Sequence, residues 1–308
     1  MSTVIDPVES PVPDAAATAP NAARSWRRSL GGGAVRRVLA VVGLLLALAA
    51  AWELYKVIWD AAGWEWPVRP DDTSMPHVWS ILNALVEPAR RGGDESYGMI
   101  LLQEARWTFR SAIVGFALGS VVGLGLALVF LRSGLLRRGF MPYVIASQMV
   151  PLIAIAPMVV IWVRSNDWPA WYGVAAISAY LSFFPVTVNM LRGLTSPSAT
   201  ALELMRSYAA SDAQTLSRLR FPAALPYLFP ALKVAATASV VGALVGELPA
   251  GLQDGLGRVL LNGAQFYVTR PEQLYAAVLV VGALGLAFAG LVGLVERAVV
   301  PVRREVVA

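Results

Sequence analysis

Six stretches of about twenty mostly apolar residues dominate the sequence, and nothing else constrains its fold as strongly. They cover residues 38–58, 109–131, 142–163, 170–191, 227–248 and 274–300. A helix needs roughly 20 such residues to cross the ~30 Å hydrocarbon core of a bilayer. Composition agrees: 57% of residues are apolar and 15% charged, and mean hydropathy is +0.60. Soluble domains average about 45–50% apolar and ~25% charged. The expected fold class is all-α, a polytopic membrane protein with about six transmembrane helices.

The same counts exclude several chemistries. With no cysteine there is no disulfide framework, thiolate metal site or cysteine nucleophile. One histidine, His77, cannot build a multi-histidine metal centre. Neither lysine, Lys56 nor Lys233, follows a G-x-x-x-x-G run, so the chain carries no Walker A loop. No catalytic residue, metal ligand or cofactor is expected.

The net charge of +5 is explained by topology. If the N-terminus is cytoplasmic, fifteen arginines fall in inside segments and seven in outside ones. Every inside loop is enriched, including Arg132, Arg137 and Arg138 in one and Arg192, Arg206, Arg218 and Arg220 in another. That is the positive-inside pattern, and it makes nucleic acid a poor partner. The first stretch is too long for a signal-peptide apolar region. Trp52, Glu53, Tyr55 and Trp59 follow it instead of a small-residue cleavage site, so it reads as a retained span. The expected organisation is a disordered cytoplasmic tail (1–34), a first transmembrane helix (35–59), an external loop (60–108), a core (109–300) and a cytoplasmic C-terminal tail (301–308). Both termini are then cytoplasmic.

Small residues suggest how the spans pack. Gly115, Gly119 and Gly123 recur at four-residue spacing, which lines one helix face and permits close approach. The last span repeats the device with Gly282, Gly285, Gly290 and Gly293. Pro151 and Pro157 interrupt the third span, and such breaks survive in a bilayer where neighbours or a watery cavity satisfy the freed carbonyls. Gln148 stands beside that break, Asn189 lies in the fourth span and Glu247 ends the fifth. These three are the candidate translocation-path residues, with interhelical hydrogen bonding or an interfacial position as the alternative. Lys233 is expected to snorkel toward headgroups.

The loop at 192–226 is too polar to span and too long for a simple connection. It reads as two short amphipathic helices. Leu202, Met205 and Ala209 share a face of the first. Ser211 followed by Gln214 is a capping box that starts the second near Asp212, and Pro222 should stop it. The apolar faces lack partners among six spans, which implies a partner outside the membrane.

This loop carries a resemblance. Glu203-Leu204-Met205, three residues, Ala209, nine residues and Leu219-Arg220-Phe221-Pro222 resemble the EAA loop of ABC-importer permeases: E-A-A, three residues, G, nine residues, I-x-L-P. Leu204 and Met205 replace two alanines and Ala209 replaces the glycine. The likeness runs from about Gly115 to Ala289 and points to the nitrate, sulfonate and taurine group. Ser147-Gln-Met-Val-Pro151, Phe183-Phe-Pro185 and Gly246-Glu247 with Gly255-Leu-Gly257 are most similar to its thiamine-pyrimidine-precursor and riboflavin branch.

The resemblance implies a type I importer permease fold, without reaction chemistry of its own, in the bacterial inner membrane. It implies a homodimer or pseudo-dimer, a separate cytoplasmic ATP-binding subunit and an extracytoplasmic substrate-binding protein. Glu203, Met205, Arg206, Ala209, Ala210, Ser211, Asp212 and Pro222 would form the ATPase-coupling element. The implied solute is a pyrimidine-like heterocycle, with sulfonate, taurine or nitrate as the alternative. From the residues alone, a secondary transporter or channel and a membrane-embedded enzyme remain open, although a transporter or channel leaves the amphipathic loop without a partner.

Overall fold

The computed structural model describes residues 29–89, 94–248, 252 and 254–299. The expected disordered tail lies almost wholly outside these residues, as does the C-terminal tail. The chain divides into two compact units, Met1–Pro70 and Asp71–Ala308.

Among the described residues, the first unit is one helix, α1 (Ser29–Ala62), and a short return. Leu44, Leu45, Leu46 and Leu48 are each about 60% exposed within the chain, a surface suited to lipid rather than water. Aromatic residues collect at its C-terminal end. Tyr55 stacks on Trp59 with ring centroids 4.2 Å apart, and the Trp59 indole N–H donates to the Trp66 carbonyl at 3.0 Å. Trp and Tyr favour the membrane–water interface, where an apolar ring and a polar handle are both satisfied.

The second unit is built from α2 (Val78–Ala84), α3 (Tyr97–Arg132), α4 (Gly134–Ala146), α5 (Leu152–Ser165), α6 (Trp171–Leu194), α7 (Ala199–Ser207), α8 (Asp212–Thr215), α9 (Phe221–Glu247), α10 (Leu256–Gln265) and α11 (Pro271–Val299). Among the described residues, five helices are long and apolar enough to span a bilayer, or six if the bent pair α4–α5 is one span.

At the centre lies α6, flanked by α3 and α9. The glycine face of α3 makes the first contact. A Cβ on Gly119 would lie 2.6 Å from the Ala179 carbonyl, and one on Gly123 would lie 2.7 Å from that of Phe183. Only hydrogen fits at these positions. Residue numbers rise together along the contact, so α3 and α6 run parallel. On the other side Gly242 meets Ser178, Gly246 meets Val174 and Gly193 meets Ala224, so α9 runs antiparallel to both. The C-termini of α3 and α6 and the start of α9 therefore share one end of the bundle, and Arg132, Arg192 and Arg220 share it with them.

Four expectations need correction. The second span begins at Tyr97, not 109, because Ser96 caps it and Tyr97, Leu101 and Ala105 pack into a cluster with α2, α10 and α11. Hydropathy registers only the part of a helix that meets lipid. The third span is no single rod: α4 and α5 meet at 96°, at a 3-10 turn (Ser147–Met149) followed by Pro151. Pro222 does not stop the loop's second helix. Asp212–Glu247 is one helical run, with a π-helical segment at Leu216–Arg220 immediately before Phe221 and Pro222. In that segment the Phe221 N–H reaches back to the Leu216 carbonyl, and the widened turn makes room for the ring and the missing N–H of Pro222. Finally, the α11 glycines do not repeat the packing device. Gly282, Gly285 and Gly290 have open space where a Cβ would stand.

Candidate functional site

The loop between α6 and α9 is an elbow fixed to the bundle. Ser198 caps α7, its hydroxyl accepting from the Ala201 N–H at 3.3 Å. At the other end the Ala209 N–H donates to the Arg206 carbonyl at 2.8 Å and the Ala210 N–H to the Met205 carbonyl at 3.0 Å. Such a closure needs a left-handed residue, and Ala209 supplies it with φ of 51°. Where the family pattern has glycine, alanine carries the same backbone here, at a cost of about 1–2 kcal/mol. Ser211 and Gln214 form the expected capping box, Gln214 N–H to Ser211 Oγ at 3.2 Å and Ser211 N–H to Gln214 Oε1 at 2.9 Å. Arg220 then donates to the Leu194 carbonyl at 2.9 Å, closing the base of the elbow on α6.

The outward face of α7 differs from the one anticipated. Leu202 and Met205 are half-buried against their own chain, whereas Leu204 and Tyr208 are 56% and 77% exposed. Those two share a face at i and i+4. Glu203, Arg206, Ala209, Ser211 and Asp212 are also exposed, Ala210 is half-buried, and Pro222 is exposed beneath the elbow. No ion pair joins Glu203 to Arg206 among the described residues, so both charges are presented outward. Sequence reading overlooked Leu204 and Tyr208 because it scored the stripe with the most apolar positions. The available signal was a leucine and a tyrosine one turn apart among charged neighbours.

The three path candidates occupy different settings. Gln148 is exposed on the 3-10 turn at the α4–α5 break. The Tyr180 hydroxyl donates to the neighbouring Ser147 carbonyl and pins that turn to α6. Asn189 is half-buried, and its Nδ2 donates to the Pro185 carbonyl at 2.8 Å, a bond within its own helix. No hydrogen bond links Gln148 to Asn189 among the described residues. Glu247 lines no open path in this structure. It is 3% exposed, and its Oε2 accepts from Thr108 Oγ1 at 3.0 Å and from the Gly257 N–H at 2.9 Å. Lys233 pairs with Glu296, joining α9 to α11 instead of reaching for headgroups.

Residues 97–301 match the family described as the binding-protein-dependent transport system inner membrane component. The chain belongs to that family. It is the membrane-spanning permease component of an ABC importer. It is 36% identical over 144 residues to the formylaminopyrimidine transport permease of Halalkalibacterium halodurans, a stretch covering 47% of this chain and 56% of that one. To the riboflavin transport system permease of Chloroflexus aurantiacus it is 28% identical, over 65% of this chain and 72% of the other. The fold is that of a crystallised amino acid ABC transporter, with a TM-score of 0.53 at 19% identity, covering 66% of this chain and 95% of that one. Family membership implies an ATP-binding subunit and a substrate-binding protein as partners. It also removes the secondary transporter and the channel as readings.

Proposed function

We propose that two copies of this permease enclose a path for a small pyrimidine-like heterocycle, driven by a separate ATPase seated on α7. Alternating access supplies the mechanism: ATP binding and hydrolysis bias two arrangements of the helices, and the path opens to one side at a time. The permease holds no hydrolytic machinery in this scheme, and ATP is split by the partner. The end bearing α7 faces the cytoplasm, a placement supported by the arginines gathered there.

The observation that carries the reading is the elbow. Leu204 and Tyr208 stand exposed beside Glu203 on a short helix closed at both ends and tied to α6 by Arg220. An apolar pair with charged neighbours on a rigid mount suits a cleft in a soluble partner. Homodimerisation is supported by α4, which buries no residue within the chain, and by exposed Gln148 and Met149 at the break. A polar side chain facing lipid is costly, so a second copy across a wet path accounts for Gln148. The uncharged amides fit a heterocycle better than a sulfonate, which would call for arginine. The relatives that transport formylaminopyrimidine and riboflavin support the same solute class.

Leu204→Asp tests the seat. The variant should insert normally yet lose ATPase retention by about thirtyfold, the equivalent of ~2 kcal/mol for a desolvated anchor. Normal retention on affinity purification would reject α7 as the seat.

A further inference from the structure

A buried polar knot lies at the end of the bundle opposite the elbow. Glu247 is the last residue of α9, and Thr108 lies on α3. The Thr108 hydroxyl donates to Glu247 and accepts the Leu256 N–H at 2.8 Å. Glu247 also accepts the Gly257 N–H, and Glu104 accepts that of Gly255. Three consecutive backbone donors at the start of α10 are thus held by side chains from α3 and α9. Gly255 has φ of 107°, and a Cβ there would fall on the Glu247 carboxylate. Only glycine lets the backbone approach this closely.

The knot terminates the same helical run that begins in the elbow. Asp212 follows the Ser211 capping box, and the run ends at Glu247 after 36 residues, about 54 Å at ~1.5 Å per residue. Glycine contacts with α6 brace it along its length. Beyond the knot, Glu104 also lines a cavity of about 310 Å³ with Arg258, Asn262, Arg270 and Gln273. Glu247 is buried and lines no open path, and both partners of its Oε2 belong to the knot. Burying one is expensive unless every lone pair is used.

We infer that Glu247, with Thr108, is a positioning residue. It locks α10 to the far end of the Asp212–Glu247 helix, so that displacement of the elbow reaches the opposite face of the permease. This rests on the importer reading above, in which the elbow moves with the ATPase. Coupling of this kind is a free-energy link between two sites, and removing the joint should leave each end intact while separating them.

The chain's lack of cysteine makes the test clean. Asn262→Cys on exposed α10 takes an environment-sensitive fluorophore, and the permease–ATPase complex in proteoliposomes is given Mg-ATP. The otherwise unaltered complex should show a fluorescence shift with hydrolysis. Thr108→Val and Glu247→Ala should retain hydrolysis per assembled complex and lose the shift by about tenfold, within the usual range for coupling. Glu247→Gln keeps an acceptor for Thr108 and Gly257 and should restore it. An undiminished shift in Thr108→Val, a shift absent from the parent complex despite hydrolysis, or shift and hydrolysis falling in proportion would each overturn the inference. Absence of any ATPase from the parent complex would instead reject the importer reading.

Discussion

Two parts of the bundle solve the membrane-packing problem in opposite ways. In the α3–α6–α9 sandwich, glycines let backbones approach until no Cβ fits. In the α4–α5 pair, a right-angle break leaves Tyr143, Met149 and Met158 each more than 70% exposed. The sandwich has no slack, because a close-packed interface moves as a body or not at all. In the broken pair α4 buries no residue within the chain, and the turn, held to α6 at Ser147, presents Gln148. One region therefore suits transmission of force, and the other suits formation of a wall that changes shape.

The sharpest way to break this contrast lies within α3 itself. Gly119→Val places a branched side chain against the Ala179 carbonyl and Ser182 Cβ, both under 3 Å from the first added carbon. It should destabilise the fold by about 3 kcal/mol or more, the upper end for overpacking. Gly125→Val, six residues on, meets nothing within 4 Å and should be tolerated. Thermal unfolding of the two variants in detergent, followed by tryptophan fluorescence, compares them directly. Equal midpoints would remove the case for a rigid sandwich.

A smaller effect is expected along the path, at Gln148 in the turn of the broken pair and at Asn189 on α6. Gln148→Ala and Asn189→Ala should leave the melting curve almost unchanged and lower solute uptake. Each loss should be roughly two- to twelvefold, the equivalent of one hydrogen bond of about 0.5–1.5 kcal/mol. Unchanged uptake in both variants would remove these residues from the path.

The smallest effect is at the elbow. Ala209→Gly relieves about 1 kcal/mol of left-handed strain but loosens the unfolded chain by a similar ~0.5–1 kcal/mol. The midpoint should move by less than about 3 °C. A large rise would show that strain at Ala209 dominates the elbow.

Much of this architecture is legible in the residues. Length and apolarity mark the spans, the spacing of Gly115, Gly119 and Gly123 marks a packing face, and Ser211 with Gln214 marks a helix start. What escaped depends on partners remote in sequence. The spacing of Gly282, Gly285 and Gly290 is a packing signal on its own, yet among the described residues nothing lies within 4 Å of where their Cβ atoms would stand. Pro222 is a stop signal unless the preceding turn widens to a π-helix, which local sequence does not announce. Glu247 invites a role in transport because an intramembrane carboxylate is costly. Its partners Thr108 and Gly257 lie 139 and 10 residues away, and only the fold brings them together.

The central claim is that α7 meets the ATPase, and a single cysteine tests it. Tyr208 is 77% exposed on the elbow, while Asn262 is exposed at the opposite end of the bundle. Tyr208→Cys and Asn262→Cys, each in the cysteine-free chain, are treated in membranes with a short thiol-to-amine cross-linker in the presence of the ATP-binding subunit. The account predicts a permease–ATPase adduct from position 208 and none from position 262. An adduct from 262, or none from 208 with the complex intact, would contradict it.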